Sequence, residues 1–498
     1  MRRLYARFGP QVLGVAFAAF MVLILLATRY GPHRDEMYFV VAGRHPAWGY
    51  PDQPPLTPLL ATALDSLNHS LIDLRFVSAL IVAAVVLISA DLVRVLGGSR
   101  TAQLLTAVIM ATGPGVLAIG HLLSTATLDL FFWVLLVRLV VHVVQNDRPR
   151  LWLVIGLVLG ISLENKNLPA TLAAGLLIGL LLTPGARHHL RSPWLWLAAV
   201  IALVCWAPNL IWQAQHGWPQ LTLAQDIRAE TRTPGGIVQL IFFQLLLLGP
   251  VGGVLTVIGL IAVLRGRFAE RTATAMRPVG IAYLATLALF VVNGGKHYYL
   301  LGLLVPLAAA GTVAIDGWLS RFRTAVPAAV VAVLALVPLP SSLPVTPATT
   351  YATSFWSTIN DDQLNTIGWP RVVQEIGSAA FSLTREQRST AIVLTDNYGE
   401  AGAWDYYSQG LGRRRGDWQI PAYSGHNGFG LWGPPERTGP VILVSDEPPD
   451  PAILRDCRLH SRIDTTVDNE ENGVGVYVCA GPNGSWPELW PKLLRLRA

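Results

Sequence analysis

Asp35 and Glu36 stand side by side just beyond the first apolar run. Transfer of a group onto a hydroxyl requires loss of that hydroxyl's proton as the new bond forms, and a positioned aspartate can accept it. A solvated pair that merely marks a membrane boundary has the same spacing, so the motif alone leaves both readings open. Asp52 lies in Gly49-Tyr50-Pro51-Asp52-Gln53-Pro54-Pro55, where prolines fix the backbone and Trp48 and Tyr50 offer flat surfaces to a sugar or lipid. Its plainer alternative is a turn aspartate bonded to its own backbone. Asp129, in Thr125-Ala126-Thr127-Leu128-Asp129, lies within an apolar run, where a carboxylate costs roughly 2.5–3.5 kcal/mol on insertion scales. It should face the bundle interior, with Lys166 the nearest partner by topology, and a purely structural ion pair fits as well. Lys296-His297-Tyr298-Tyr299 follows Asn293-Gly294-Gly295, so a glycine turn delivers cationic and phenolic donors suited to a phosphate headgroup. Interface anchoring is the alternative. Only three lysines, Lys166, Lys296 and Lys492, occur among 37 Lys+Arg residues, which favours a specific role.

The elements that must position these residues are set by composition. The chain of 498 residues is 52% hydrophobic and 14% charged, against about 25% charged in soluble domains. Apolar segments near the length of about 20 residues that a spanning helix needs recur as far as about Pro344. Eleven spans are expected: Gln11–Thr28, Phe76–Leu96, Thr101–Gly120, Thr127–Val144, Leu151–Leu163, Pro169–Leu182, Trp194–Trp212, Ile237–Leu264, Pro278–Val292, Tyr299–Ile315 and Ala325–Leu339. Gly249-Pro250 within the eighth marks a kink or close packing. No small-residue cleavage site follows Val12–Ala27, so the first span is expected to be retained. The net charge of +6 falls in short arginine clusters between apolar runs, which argues against nucleic acid and for a membrane surface.

Arg2, Arg3 and Arg7 put the amino terminus on the cytoplasmic side by the positive-inside rule. Alternation then gives inner loops holding Arg94 and Arg100, Arg148 and Arg150, Arg187 and Arg191, Arg265–Arg277, and Arg321 with Arg323. The outer loops hold the acids, histidines and two of the lysines. In the first of them, Leu56, Leu59, Leu60, Leu64 and Leu67 fall at helical spacing and predict a helix lying on the membrane interface, with a second around Met37–Val41. The division expected is a membrane domain over 1–343 and an extracytoplasmic α/β domain over 344–498, with Ala391–Thr395 and Val441–Val444 as buried strands and Arg371–Ala380 as a helix. Cys457 and Cys479 then share an oxidising compartment and are expected to pair, with Cys205 reduced inside a span.

With these residues in place, the chain resembles the protein O-mannosyltransferase superfamily and its aminoarabinose-transferase relatives. Asp35-Glu36-Met37-Tyr38, Gly49-Tyr50-Pro51-Asp52-Gln53-Pro54-Pro55-Leu56, Asp129, Lys166 and Lys296-His297-Tyr298-Tyr299-Leu300 carry the likeness. Asp396-Asn397-Tyr398-Gly399-Glu400 and Ser424-Gly425-His426-Asn427, followed by Leu431-Trp432-Gly433, resemble a subset of bacterial relatives. The resemblance implies a mainly α, polytopic GT-C fold with a small C-terminal α/β domain. It also implies sugar transfer, with inversion, from a polyprenyl-phosphate donor to a glycan, protein or lipid acceptor at the outer face. Asp35 would be the general base, Glu36 or Asp52 would orient the acceptor with Arg34 and Asp129 in support, and Lys296, His297, Tyr298 and Lys166 would hold the donor phosphate. Aminoarabinose transferases carry basic residues around the positions of Tyr38 and Gln53, which this chain lacks. His33, Asp35, Glu36 and Asp52 could supply ligands to a divalent metal, and the same carboxylates serve equally as a metal-free base, since spacing within a loop fixes no coordination geometry. A transporter or flippase of lipid-linked sugars is the rival class, although it would place its site near the midplane and between repeats. No P-loop, GxSxG, HExxH or paired-cysteine zinc motif occurs.

Overall fold

The structure, a computed structural model, describes residues 2–323, 325–415 and 420–496, side chains of 2–6 and 409–415 excepted. The side chains of Arg2 and Arg3, counted above as inner charges, therefore lie outside the described set. Two compact units form. A helical unit comprises Met1–Ala27, Arg75–Gly217 and Ala224–Leu343, and a sheet unit comprises Thr28–Leu74, Trp218–Leu223 and Pro344–Ala498.

Among the described residues, six helices in the chain are long and apolar enough to cross a membrane: Arg7–Leu26, Leu71–Val95, Thr125–Asn146, Pro193–Gln215, Glu270–Asn293 and His297–Ala314. Two bent pairs raise that to eight. The stretch Thr101–Gly120, expected as one span, is two helices bent by 53°, because Pro114 lacks the N–H that would continue the first. Ile237–Leu264 is likewise split, into Pro234–Phe243 and Gly249–Leu264. Gly249 there has φ of 73°, a left-handed conformation that glycine tolerates, and Pro250 opens the new helix. Segments expected at Leu151–Leu163, Pro169–Leu182 and Ala325–Leu339 appear as Trp152–Leu163, Pro169–Leu182 and Ala325–Leu334. Small residues let backbones approach: a Cβ on Gly160 would stand 2.5 Å from Cys205 Cβ, so helices Trp152–Leu163 and Pro193–Gln215 pack through this glycine. Large apolar side chains such as Phe17, Leu25, Leu181, Leu182 and Val204 point outward, as expected where the surrounding solvent is lipid.

In the sheet unit, five strands run β1 (Ile392–Thr395), β2 (Ala422–Ser424), β3 (Val441–Ser445), β4 (Arg458–Arg462) and β5 (Gly475–Cys479), in the spatial order β2-β1-β3-β5-β4. β1 pairs parallel with β2 and β3, whereas β5 runs antiparallel to β3 and β4. The runs Ile392–Thr395 and Val441–Ser445 are buried at every position, which explains their uninterrupted apolar sequence. Cys457 and Cys479 form a disulfide at the paired ends of β4 and β5, and Cys205 is free. The helix Trp369–Ser382 buries Val372, Val373, Ile376, Ala379 and Ala380 on one stripe. The same unit holds the two predicted early helices, Arg34–Arg44 and Leu56–Asn68. Helix Leu56–Asn68 packs through Thr57, Pro58, Ala61 and Asp65, whereas Leu59 and Leu67 are 44% and 64% exposed and Leu56, Leu60 and Leu64 are half-buried. Exposed leucines on a helix of this kind suit an interface with lipid.

Candidate active site

The carboxylates predicted to act lie in the sheet unit, on the helix Arg34–Arg44 and the loop that follows it. His33 caps that helix: its ring accepts the Asp35 N–H at 3.1 Å, and its own N–H donates to the Glu36 carboxylate at 2.8 Å. This reciprocal arrangement satisfies two backbone donors that a helix start otherwise leaves open. It also separates the two acids. Glu36 is 1% exposed and engaged in the cap, whereas the Asp35 side chain keeps 35% of its surface open. Arg34 turns to Glu470 at 2.5 Å and lies 5.7 Å from the centre of the Tyr398 ring.

Asp52 is set by a pinned turn. Tyr50 N–H donates to the Gln53 carbonyl at 2.8 Å and Tyr50 O–H donates to the Ala42 carbonyl at 2.9 Å, so the proline-rich loop is tied to the helix carrying Asp35. Tyr38, one turn after Asp35, donates to Asp52 Oδ1 at 2.9 Å. Burial pushes the Asp52 carboxyl up to about 7, with the Tyr38 hydrogen bond acting the other way.

The second phenol comes from the far end of the chain. Tyr398 O–H donates to Asp35 Oδ1 at 2.7 Å, and its ring lies 4.9 Å from that of Tyr38. Burial raises both phenols well above 10, and the neighbouring carboxylates raise them further, so each keeps its proton and acts as a donor. Tyr398 begins a helix just past the carboxyl end of β1, where Asn397 and Glu400 cap each other. Gly428, past the carboxyl end of β2, donates its N–H to Tyr38 Oη at 3.2 Å. A Cβ on Gly428 would stand 2.5 Å from that oxygen, so only glycine allows the approach. Both segments thus extend from the carboxyl ends of parallel strands, the usual place for ligand-binding loops in such sheets. Phe429 and Trp432 add aromatic walls at 6.2 and 6.3 Å from Tyr38, and Trp432 stacks on His45 at 4.3 Å. Sequence reasoning singled out these loops by resemblance but assigned no role to Tyr398, Gly428 or Phe429, and it weighed His33 only as a possible metal ligand, not as the helix cap.

The cationic residues belong to the helical unit and form a second cluster. Lys296 precedes the short turn His297–Leu300, and the turn is held by Gln244, whose side chain donates to the His297 carbonyl at 2.8 Å. Gly295 N–H donates to Thr231 Oγ1 at 2.9 Å. Lys166 Nζ lies 4.8 Å from the Tyr299 ring centre and 5.5 Å from that of Tyr298, and it feels the charges of both Asp129 and Lys296. Burial lowers Lys166 to about 8; Asp129 opposes that shift and Lys296 adds to it. Asp129 accepts a hydrogen bond from Trp133 Nε1 at 3.0 Å, one turn along its own helix, in addition to its electrostatic interaction with Lys166. Among the described residues neither lysine makes a salt bridge. Elsewhere in the helical unit, the sequence reading did not anticipate Arg75, 2% exposed, which donates to the Ala27 carbonyl at 2.7 Å and lies 3.1 Å from His121 Nε2.

Among the described residues, the one set of three or more potential metal-donor side chains within 4.8 Å of one another is Asp147, which caps the helix Thr125–Asn146, with His188 and His189 of the short helix Pro184–Arg191, rather than the residues around Asp35.

Residues 52–212 match the family model described as dolichyl-phosphate-mannose-protein mannosyltransferase. A lipid A galacturonosyltransferase, RgtD of Rhizobium johnstonii, is 28% identical over 196 residues, spanning 39% of this chain and 41% of the relative's length. Two crystal structures of ArnT from Cupriavidus metallidurans share the fold, both at 14% identity and covering 94% of this chain and 97% of that one. The structure bound to undecaprenyl phosphate superposes with a TM-score of 0.59 and the apo structure with 0.58. The chain thus shares the fold of the ArnT structures, carries helices long and apolar enough to make it a multi-pass membrane protein, and over residues 52–212 is similar to the mannosyltransferase family.

Proposed function

We propose that the protein transfers a sugar from a polyprenyl-phosphate donor to an acceptor hydroxyl, with inversion, at the outer face of the cell membrane. The acceptor hydroxyl gives its proton to Asp35 as its oxygen bonds to the anomeric carbon. The bond from that carbon to the phosphate oxygen breaks, and the polyprenyl phosphate leaves with the bonding pair. Tyr398 orients Asp35 through Oδ1, and Asp52 with Tyr38 orients the acceptor. Glu36, sealed in the helix cap, acts through the position of Asp35. Lys296 and Lys166, with His297, Tyr298 and Asp129 around them, offset the charge that grows on the phosphate.

The observation that carries this reading is the pairing of a half-open Asp35 with a protonated phenol, which a mere boundary carboxylate would not need. Two lysines sensing each other's charge without a salt bridge support an anionic ligand in the helical unit. The undecaprenyl phosphate bound by ArnT supports a polyprenyl-phosphate donor, and the name of the RgtD relative supports a lipid-linked acceptor. Arginine placement supports an inner amino terminus.

The test is to incubate purified protein with a panel of polyprenyl-phosphate sugars and an acceptor lipid, and to follow the products by mass spectrometry. Release of free polyprenyl phosphate with a glycosylated acceptor is expected. Movement of intact donor across proteoliposome membranes without cleavage would replace the reading with a flippase.

A further inference from the structure

A second basic site lies in the helical unit, away from the lysine cluster. Four of the long apolar helices end around one cavity of about 1030 Å³: Arg7 comes from the start of Arg7–Leu26, Arg94 from the last turn of Leu71–Val95, Arg138 and His142 from the final turns of Thr125–Asn146, and Arg271 from the first turn of Glu270–Asn293. These helix ends mark the depth at which hydrocarbon gives way to headgroups. On the helix Thr125–Asn146, Arg138 and His142 stand nine and thirteen residues beyond Asp129. At about 1.5 Å per residue, that separates them from the Asp129–Lys166 region by roughly 14–20 Å along the axis.

The arginines are held in place and are not neutralised. Asp91, 3% exposed behind the cavity, accepts from Arg7 at 2.6 and 2.8 Å, from Arg94 at 2.7 and 3.0 Å, and from Arg138 at 2.8 Å. One carboxylate thus anchors three guanidinium groups. Arg7 and Arg94 still leave 47% and 42% of their side chains open, and among the described residues the lining adds exposed Arg271 but no carboxylate. Guanidinium forks fixed at the rim of an apolar bundle fit phosphate oxygens, and a second anion is needed to balance the surplus charge. Basic pockets between membrane helices at headgroup depth are suited to anionic lipids.

We propose that this cavity is a binding site for the phosphate headgroup of an anionic membrane lipid, separate from the donor site. The site would hold such a lipid against the four helix ends and couple their packing to the lipid composition of the leaflet.

The test is native mass spectrometry of delipidated full-length protein in detergent, titrated with phosphatidylglycerol, with phosphatidylcholine, and with phosphatidylglycerol in the presence of inorganic phosphate. Phosphatidylglycerol is expected to bind in discrete stoichiometry and phosphatidylcholine at least about fivefold more weakly. Arg271→Glu should weaken phosphatidylglycerol binding by about fivefold or more, whereas Arg323→Glu, the same charge change on an exposed arginine outside the cavity, should leave it unchanged. Equal losses in the two variants would reduce the effect to general surface charge and overturn the site. Full displacement by millimolar inorganic phosphate would assign the pocket to a soluble anion and overturn the lipid proposal. Arg271 has no hydrogen-bonded or ion-paired partner among the described residues, so its variant is expected to fold, and an unchanged melting temperature checks that.

Discussion

The acidic cluster of the sheet unit and the cationic cluster of the helical unit are built by different means. Asp35 and Asp52 each accept from a tyrosine whose own position depends on loops past β1 and β2, so a rigid hydrogen-bonded frame surrounds two oxygens that must hold one orientation. Lys166 lies over the Tyr298 and Tyr299 rings and Lys296 follows a glycine turn beside the His297 carbonyl that Gln244 holds, with no salt bridge fixing either ammonium group among the described residues. Fixed acceptors suit proton transfer, which fails if the base moves by a fraction of an ångström. Loosely held point charges suit a phosphate that changes its charge and position as a bond breaks.

If that division is right, removing the base has the largest effect. Asp35→Asn keeps the shape and the Tyr398 bond but cannot take a proton, and turnover should fall roughly 10²–10⁴-fold. Donor turnover with an unchanged melting temperature checks it, and a near-normal rate would remove Asp35 from the chemistry. Lys296→Ala comes next. It should raise the donor KM about tenfold or more, the loss expected for a charge-assisted contact, with Lys296→Arg recovering part of it. An unchanged KM would leave Lys296 as a membrane anchor.

Tyr398→Phe sharpens the contrast at smaller scale. It preserves the ring contact with Tyr38 and deletes only the bond to Asp35, so kcat should drop about tenfold with KM little changed, and a matching loss in Tyr38→Ala but not Tyr398→Phe would shift the weight to the rings.

These predictions rest unevenly on what a reading of the chain can reach. Asp35, Asp52 and the lysines stand out in the chain as charged residues beside apolar runs, and the helices around Met37 and Leu56 follow from periodicity. The framing residues are not legible. Tyr398 lies 363 positions beyond Asp35, and Gly428 lies 390 beyond Tyr38, so only the folded sheet brings them together. Burial direction is also hidden: Leu59 and Leu67 of Leu56–Asn68 turn outward and Ala61 turns in, because near a membrane the apolar face need not be the core. Hydropathy likewise merges Pro234–Phe243 with Gly249–Leu264, since a sum over residues does not register a break in backbone direction.

The smallest expected effect is on stability. Burial holds the Asp52 carboxyl at about 7 in the folded protein, above its ordinary value of 3.8. Between those values the unfolded chain has released a proton that the folded protein retains, so this group's contribution falls as pH rises through the window. Thermal unfolding at pH 5 and pH 8 should therefore favour wild type over Asp52→Asn more at the lower pH, and a constant difference would contradict the raised value.

The division of labour is tested most directly by measuring equilibrium donor binding and single-turnover donor cleavage on the same preparations of Asp35→Asn and Lys296→Ala. Asp35→Asn should bind the polyprenyl-phosphate donor within about twofold of wild type while cleavage falls at least about 100-fold, and Lys296→Ala should lose binding. If Asp35→Asn instead loses donor binding as fully as Lys296→Ala, or cleaves donor at nearly the wild-type rate, the separate roles assigned to the two clusters are wrong.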